Sequence, residues 1–230
     1  SNYSATNIKV IKKKNSYLTS FDLIENFEKI KIYKNFATPL LGDHNIKNIL
    51  ASISVSRELK VSYPQIKKAL KAFSGVKRRF TIIHKSRHNL IIDDYAHHPV
   101  EIEETLKSLK QITKNEIISI FEPHRYSRIS TMINEFIHCF KNSNHIFILP
   151  VFSAGERKIK NIDSTFFYEK LRKKYSYKNV YLSEPNKSFF DSLKKKMTPG
   201  NNIPRRPIFL STSLRVSAPV FPAHMLISLT

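Results

Sequence analysis

Three segments rich in charged and imidazole side chains each follow a short apolar run. They are DDYAHHP at 93–99, EPHRYSR at 122–128 and SAGER at 153–157. Imidazoles exchange protons near neutral pH, and arginine forks bind phosphate or carboxylate through paired hydrogen bonds. These residue types therefore indicate an anion site with acid–base groups beside it.

The three segments can meet only if the apolar runs before them are neighbouring strands. Those runs are NLIIDDY, EIISIF and HIFILPVF, with helical patterns after each and a further strand at NVYL. Strands that alternate with helices predict an α/β fold with a mainly parallel sheet. Ligands bind at the carboxyl ends of such strands, so we expect the polar segments to converge on one rim.

The chain divides by composition into residues 1–77, 78–200 and 201–230. The first region begins with short alternating segments that predict strands, followed by two helices, the second opened by Pro64. The last region has no Lys, Asp or Glu and four of the eleven prolines. We therefore predict an atypical, irregular tail there and assign it no function.

Two helical segments have defined inner faces. In NIKNILASISVSREL the positions expected to be buried are Ile46, Ile49, Leu50, Ile53 and Val55. STMINEFIHCF predicts one continuous helix, with Cys139, the sole cysteine, as a buried apolar residue. No internal disulfide is possible.

The net charge of +21 admits two kinds of partner. A polyanion such as nucleic acid would suit it, and so would a small substrate that carries phosphate. The lysines are spread along the whole chain and no nucleic-acid module accompanies them, so the sequence favours the small substrate. No apolar stretch reaches the length of a membrane span and the first residues lack a signal-peptide core, so we expect a cytoplasmic protein.

The glycines exclude two common phosphate-binding loops. There are four, Gly42, Gly75, Gly155 and Gly200. No pair has the five-residue spacing of a P-loop, and a G-x-G-x-x-G turn is impossible.

Other interpretations of the polar segments compete with an anion site. Asp93 could cap the turn that follows it. His97, His98, His124 and Asp94 could bind a metal, although imidazoles beside arginines disfavour a cation, so we predict no metal here. The arginines could also form a solvated surface.

Four motifs resemble the Mur ligase family. They are GDHN at 42–45 with Asn48, GVKRRF at 75–80, IIDDYAHHP at 91–99 and PHRYSR at 123–128. DDYAHHP is typical of the family, and PHRYSR is typical of the branch that joins L-alanine to UDP-N-acetylmuramate. The motifs occur in the family's order and spacing.

The resemblance covers residues 5–200 and implies a three-domain enzyme. A first domain would bind the UDP part of the substrate, a central domain would carry the P-loop, and a Rossmann-like C-terminal domain would close over the nucleotide. Residues 1–77 would then be the end of the central, ATP-binding domain and 78–200 the C-terminal domain. We expect a chain without the P-loop to be inactive alone. After Gly200 the glycine-rich turn of the family is missing, which puts the final strand in doubt.

The resemblance also assigns roles to residues. Those expected to bind ATP are His44, Asn45, Asn48, Arg78, Arg79 and Asp94. Those expected to face the reacting carboxylate and the incoming alanine are Tyr95, His97, Arg125 and Arg128, of which His97, Arg125 and Arg128 are the predicted catalytic residues. Asn45 could instead cap a helix, and Arg78 and Arg79 could form an ion pair that links the domains.

The implied reaction belongs to peptidoglycan biosynthesis. ATP would phosphorylate the carboxylate of UDP-N-acetylmuramate, and the neutral amine of L-alanine would attack the acyl phosphate and expel phosphate. Magnesium would assist, with its ligands mostly outside this sequence. Another Mur-type ligase, a non-catalytic nucleotide- or anion-binding domain and a nucleic-acid-binding protein remain as alternatives.

Overall fold

The chain forms two compact units. The computed structural model describes residues 1–13, 16–85, 90–176, 179–197 and 208–212. The units are Ser1–Val76 and Lys77–Thr230, so the boundary falls one residue before the predicted one.

The first unit is a three-stranded antiparallel sheet followed by two helices. The strands, in the order β1-β2-β3, are β1 (Tyr3–Lys12), β2 (Tyr17–Asn26) and β3 (Ile30–Thr38), and the helices are α1 (Asp43–Glu58) and α2 (Tyr63–Ala72). Phe21 and Leu23, two apart on β2, point to one face, and the ring of Phe21 stacks on Phe36 at 5.4 Å. This face and the two helices enclose the core of the unit.

Helix α1 buries only part of the predicted face. Ile46, Ile49 and Ile53 are buried and Leu50 is half-buried, which follows the helical period. The prediction for Val55 is wrong, because its side chain is 62% exposed. Two residues beyond Ile53, it lies about 200° further around the helix.

The second unit is an α/β fold with a six-stranded sheet. Its strands are β4 (Thr81–Lys85), β5 (Leu90–Asp94), β6 (Ile117–Phe121), β7 (His145–Ile148), β8 (Asn179–Leu182) and β9 (Ile208–Thr212). Its helices are α3 (Pro99–Ile112), α4 (Tyr126–Thr131), α5 (Ile133–Cys139), α6 (Ser164–Lys174) and α7 (Lys187–Met197). The order is β4-β5-β9-β6-β7-β8, and every pair is parallel except β4 with β5. The prediction of a mainly parallel sheet is confirmed.

The central strand of this sheet comes from the predicted irregular tail. Residues 208–212 pair in parallel with β5 on one side and β6 on the other. The prediction of irregular structure is therefore wrong for IFLST, because the prolines and the atypical composition of residues 201–230 concealed a short β-prone run. The predicted boundary at 200 and the rest of the tail lie outside the described residues.

Apolar layers cover both faces of the sheet. Along β6, Ile117 and Phe121 face the layer formed by α3, α5 and α6, whereas Ile118 and Ile120 face α7. A strand buried on both faces reads as a continuous apolar run, and for that reason IISIF was recognisable in the sequence.

The helical segment after β6 is broken. The prediction of one helix at 130–140 is wrong: α4 begins at Tyr126 and ends before Met132, whose φ of −122° interrupts the helix, and α5 follows. Cys139 is buried as predicted, and burial raises the pKa of its thiol. Among the described helices, none combines the length and apolarity needed to cross a membrane.

Candidate functional site

The loops after β6 and β7 lie side by side at the carboxyl edge of the sheet. The Arg125 amide donates to the Phe152 carbonyl at 2.8 Å, and the Phe152 amide donates to the Pro123 carbonyl at 2.9 Å. A parallel bridge joins His124 to Phe152 at the same point. The two strands thus continue their pairing past their ends, which fixes the position of the PHRYSR segment.

Aromatic and imidazole rings connect that segment to the loop after β5. The His97 ring lies 4.8 Å from Tyr95 and 5.5 Å from His124, measured between centroids. His124 also contacts Phe152 at 4.6 Å. Tyr95, His97, His124, Arg125 and Arg128 are hereafter called the rim cluster.

The backbone fixes which nitrogen of His97 carries a proton. Its Nδ1 lies 2.8 Å from the carbonyl oxygen of Tyr95, which can only accept. Nδ1 therefore donates, and in the neutral ring Nε2 keeps a lone pair. A neutral His97 in this position can accept a proton from a bound amine.

Glu101 supports His97 from the first turn of α3. Its Oε2 accepts from the His97 amide at 3.1 Å and from the His98 amide at 3.3 Å, and its Oε1 lies 3.3 Å from Arg79. Burial alone would raise the pKa of Glu101, but the His97 amide and ring and the Arg79 guanidinium outweigh it and lower the pKa below its usual value. From the sequence alone, an acidic residue in the first turn of a helix indicates only a favourable interaction with the helix dipole, so the role of Glu101 beside His97 was not predicted.

His98 has a structural role. As the N-cap of α3 it accepts the Val100 amide on Nδ1 at 3.3 Å, and Glu101 completes a capping box. The two adjacent histidines thus have different roles: His97 belongs to the rim cluster, and His98 caps the start of α3.

Arg125 has an unusual backbone for a side chain of its size. Its φ is 71° and its ψ is 131°, outside the small left-handed well open to L-residues. The side chain is 50% exposed, and its guanidinium lies 3.9 Å from the Glu156 carboxylate. A strained residue held by its surroundings at the rim of a sheet is a feature of functional sites.

Arg128 lies one helical turn further on. Its Nη1 lies 3.4 Å from the His124 carbonyl, and across the described part of the chain no carboxylate lies within 4 Å of its guanidinium. A half-buried guanidinium without a carboxylate partner retains donors for an anionic ligand.

Asp94 faces the interior, not the rim. It is 5% exposed, and its oxygens accept from the Ala96 amide, the Phe80 amide and the Thr105 hydroxyl at 2.9–3.1 Å. Burial raises the pKa of its carboxyl group in spite of these bonds. The geometry supports a role in fixing the β5 loop and does not support the predicted contact with ATP.

Asp93 is paired with Arg78. Its Oδ2 lies 3.4 Å from the Arg78 Nε, and the Arg78 guanidinium lies 4.9 Å from the centroid of the Tyr95 ring. Arg79 likewise pairs with Glu101, so each of the two arginines has a carboxylate partner within the second unit.

Three of the residues predicted to bind ATP, namely His44, Asn45 and Asn48, lie in the first unit. Helix α1 has Gly42 as its N-cap, so the interpretation of Asn45 as the N-cap is wrong. The side-chain amide of Asn45 instead donates to the Leu41 carbonyl at 2.7 Å. Asn48 is exposed, and His44 has a buried Nδ1 without a hydrogen-bond partner in the described structure. Asn48 thus keeps its side-chain amide exposed, whereas the unpartnered His44 Nδ1 is buried and Asn45 uses one donor internally.

No metal centre is formed by the residues that the structure describes. Groups of three or more His, Cys, Asp or Glu side chains with suitable geometry do not occur among them. The imidazoles of the rim cluster lie beside two arginines instead, an environment suited to anions.

Comparison with known proteins agrees with these features. The family model described as "Mur ligase, glutamate ligase domain" matches residues 78–203. The UDP-N-acetylmuramate–L-alanine ligase of Agrobacterium fabrum is 42% identical over 136 residues, which are 59% of this chain and 29% of that protein. The ligase of the same name from Allorhizobium ampelinum is 39% identical over 154 residues, 67% of this chain and 33% of that protein.

A solved structure shows a similar fold. The UDP-N-acetylmuramate-alanine ligase of Thermotoga maritima superposes with a TM-score of 0.67 at 21% identity and covers 99% of this chain, which spans 45% of that structure. This chain thus spans a third or less of the two curated relatives above.

Proposed function

This chain belongs to the Mur ligase family, and from that membership we propose that it supplies the amino-acid-binding part of an ATP-dependent ligase. The ligase would join L-alanine to the carboxylate of UDP-N-acetylmuramate in peptidoglycan biosynthesis, in the cytoplasm. The named relatives carry out this reaction according to their names, and the PHRYSR segment at 123–128 favours the same branch.

The observation that carries the proposal is the composition of the rim cluster. Two guanidinium groups and an imidazole with an available Nε2 lie on adjoining loops at the edge of the sheet where ligands bind. Such a set can bind an anion and accept a proton at the same place, which are the two tasks that amide synthesis from a carboxylate and an ammonium requires.

The proposed chemistry assigns one task to each group. Arg125 and Arg128 would neutralise charge on the phosphoryl and tetrahedral oxygens, or pair with the carboxylate of alanine. His97 would accept the proton lost by the alanine ammonium, so that the neutral amine attacks the acyl carbon. The C–N bond forms, the bond from carbon to phosphate oxygen breaks, and phosphate leaves with the electron pair and takes up the second proton that the nitrogen loses. Tyr95 would pack beside the imidazole and orient it.

Magnesium, when bound, would neutralise phosphate charge in the transfer step. The described residues offer no ligand set for it, so no role in its binding is assigned to this chain. The exposed guanidinium of Arg79 contacts Glu101 through Nη1, and its remaining donors would reach phosphate or ribose oxygens of ATP.

The first unit would be the end of the ATP-binding domain. Asn48 lies on α1 with an exposed side-chain amide, which suits contact with a nucleobase. The imidazole of His44, whose Nδ1 is buried, would pack on the ring of the base. Asn45 would retain only part of its amide for that contact.

Two other functions make different predictions. A non-catalytic domain of the same fold would bind nucleotide or anion without turnover. A nucleic-acid-binding protein would bind random DNA with a steep salt dependence because of the +21 charge, whereas the ligase would bind little at physiological salt.

The test is phosphate release that depends on ATP, UDP-N-acetylmuramate and L-alanine. We expect no release from this chain alone, and release when it is mixed with a recombinant polypeptide that carries a P-loop and the UDP-binding domain. Arg128→Ala should reduce release at least about tenfold while the circular dichroism spectrum is retained. Turnover unchanged by Arg128→Ala would refute the assigned role.

A further inference from the structure

Glu156 lies in the loop after β7 and contacts the PHRYSR segment at two places. Its Oε2 accepts from the Ser127 amide at 3.0 Å and its Oε1 accepts from the Ser127 hydroxyl at 2.6 Å. The same Oε1 lies 3.9 Å from the Arg125 Nη1. One carboxylate therefore contacts both the first turn of α4 and the guanidinium before it.

From these contacts we infer that Glu156 is a positioning residue that holds Arg125 in its functional place. The inference rests on the proposed function, since Arg125 is one of the two arginines assigned to the reacting anion. Glu156 itself contacts no substrate in this scheme and acts only through its neighbours.

The backbone of Arg125 explains why a positioning residue is needed. A non-glycine residue at φ 71° and ψ 131° returns to an ordinary conformation unless its neighbours prevent it. The Arg125 amide is fixed by the Phe152 carbonyl, and the residue two positions later is fixed by Glu156. Removing Glu156 would leave only one of these two restraints.

The loop that carries Glu156 is itself shaped for this contact. Ala154 and Gly155 have φ values of 51° and 86°, and the Glu156 amide donates to the Ser153 carbonyl at 3.1 Å. This tight turn brings the chain back toward α4 after the bridge at Phe152. Ser127 lowers the pKa of the Glu156 carboxyl group through both of its hydrogen bonds, with a smaller contribution from Arg125.

Charge and hydrogen bonding at Glu156 can be separated with two substitutions. Glu156→Gln keeps the length and one acceptor oxygen for Ser127 but removes the charge that attracts Arg125. Glu156→Ala removes both. Glu169→Gln is the matched control, because Glu169 is exposed on α6 and makes no side-chain ion pair or hydrogen bond in the described structure.

The first measurement uses the 230-residue chain without substrates. Nitrogen-15 NMR would follow water exchange of the Arg125 guanidinium, assigned with Arg125→Lys, together with exchange of the Ser127 amide. We expect Glu156→Gln to accelerate exchange at Arg125 about two- to fivefold, because loss of an exposed ion pair changes an equilibrium by about that factor. Exchange of the Ser127 amide should remain nearly unchanged. Glu156→Ala should accelerate both. An Arg125 signal unaffected by either substitution would overturn the inference.

The second measurement uses the two-part ligase described above. Glu156→Gln should lower kcat about two- to fivefold with little change in the KM for ATP, and Glu156→Ala should lower it further. If the unsubstituted mixture gives no turnover, the proposed function fails while the NMR result still decides the role of Glu156. Equal kcat in Glu156→Ala and Glu169→Gln would contradict the positioning role.

Discussion

Replacement of Arg125 by glycine should leave the second unit more stable than replacement by alanine, while either change should abolish the proposed activity. The φ of 71° and ψ of 131° are costly for any side chain with a Cβ, and such a conformation costs about 1–3 kcal/mol. Glycine removes this cost, but it adds about 0.4–1 kcal/mol of conformational entropy to the unfolded chain compared with alanine. We therefore expect Arg125→Gly to be more stable than Arg125→Ala by about 0.5–2 kcal/mol.

The comparison with alanine isolates the backbone, because both substitutions remove the guanidinium and its contact with Glu156. At roughly 2–4 °C per kcal/mol for a unit of this size, the difference should appear in scanning calorimetry as a Tm about 1–8 °C higher for the glycine variant. Lys170 on α6 provides the control pair, because in a helix interior glycine is less stable than alanine by about 1 kcal/mol.

The expected signs are therefore opposite at the two sites. Lys170→Gly should melt below Lys170→Ala, and Arg125→Gly should melt above Arg125→Ala. If Arg125→Gly also melts below its alanine counterpart, Arg125 is not strained and the argument that its conformation is maintained for function is wrong. Both Arg125 variants should lose turnover in the two-part ligase.

Substitutions at three further positions test the supports of the rim cluster. Glu101→Gln should cost about 1 kcal/mol near neutral pH. The pKa of Glu101 is lower in the folded than in the unfolded protein, so its carboxylate contributes fully to the free energy of unfolding above about pH 4.3. That contribution is lost as the pH falls through the folded pKa. In acid, the denaturant unfolding curves of the variant and the parent should therefore converge. Asp94→Asn should cost about 1–3 kcal/mol in urea unfolding, because an amide places donors where the carboxylate accepted buried bonds. His98→Ala should cost about 1 kcal/mol and His98→Asn much less, since asparagine can also cap α3; equal losses would exclude capping.

The strands that position the site were predictable because they are buried on both faces. LII at 90–92 and IISIF at 117–121 are short, mostly apolar runs, each followed directly by an acidic residue, and one helix separates them in sequence. Parallel order follows from that alternation. The segments that form the rim cluster could be identified for the same reason, because a polar segment at the end of a buried strand lies at the ligand-binding edge.

Other features depend on contacts between segments distant in sequence. Strand β9 inserts between β5 and β6 although nearly a hundred residues separate it from β6, and no local pattern encodes such a pairing. The sequence placed Glu156 at the rim, but its pairing with Ser127 gave no signal, because the two residues are 29 positions apart. Asp94 was predicted to bind a ligand because it lies beside the imidazoles in sequence. Successive side chains of a strand point to opposite faces, so Asp94 points away from the face of its neighbour Asp93.

The most direct test of the central claim is detection of the new amide bond. The chain would be mixed with a polypeptide that carries the P-loop and UDP-binding domains, ATP, magnesium, UDP-N-acetylmuramate and an equal mixture of isotope-labelled alanine, glycine and serine, and the products would be separated by mass. We predict that UDP-N-acetylmuramoyl-L-alanine predominates and that Arg128→Ala removes it. A folded mixture that forms no amide product, or one that does not favour alanine, would contradict the account.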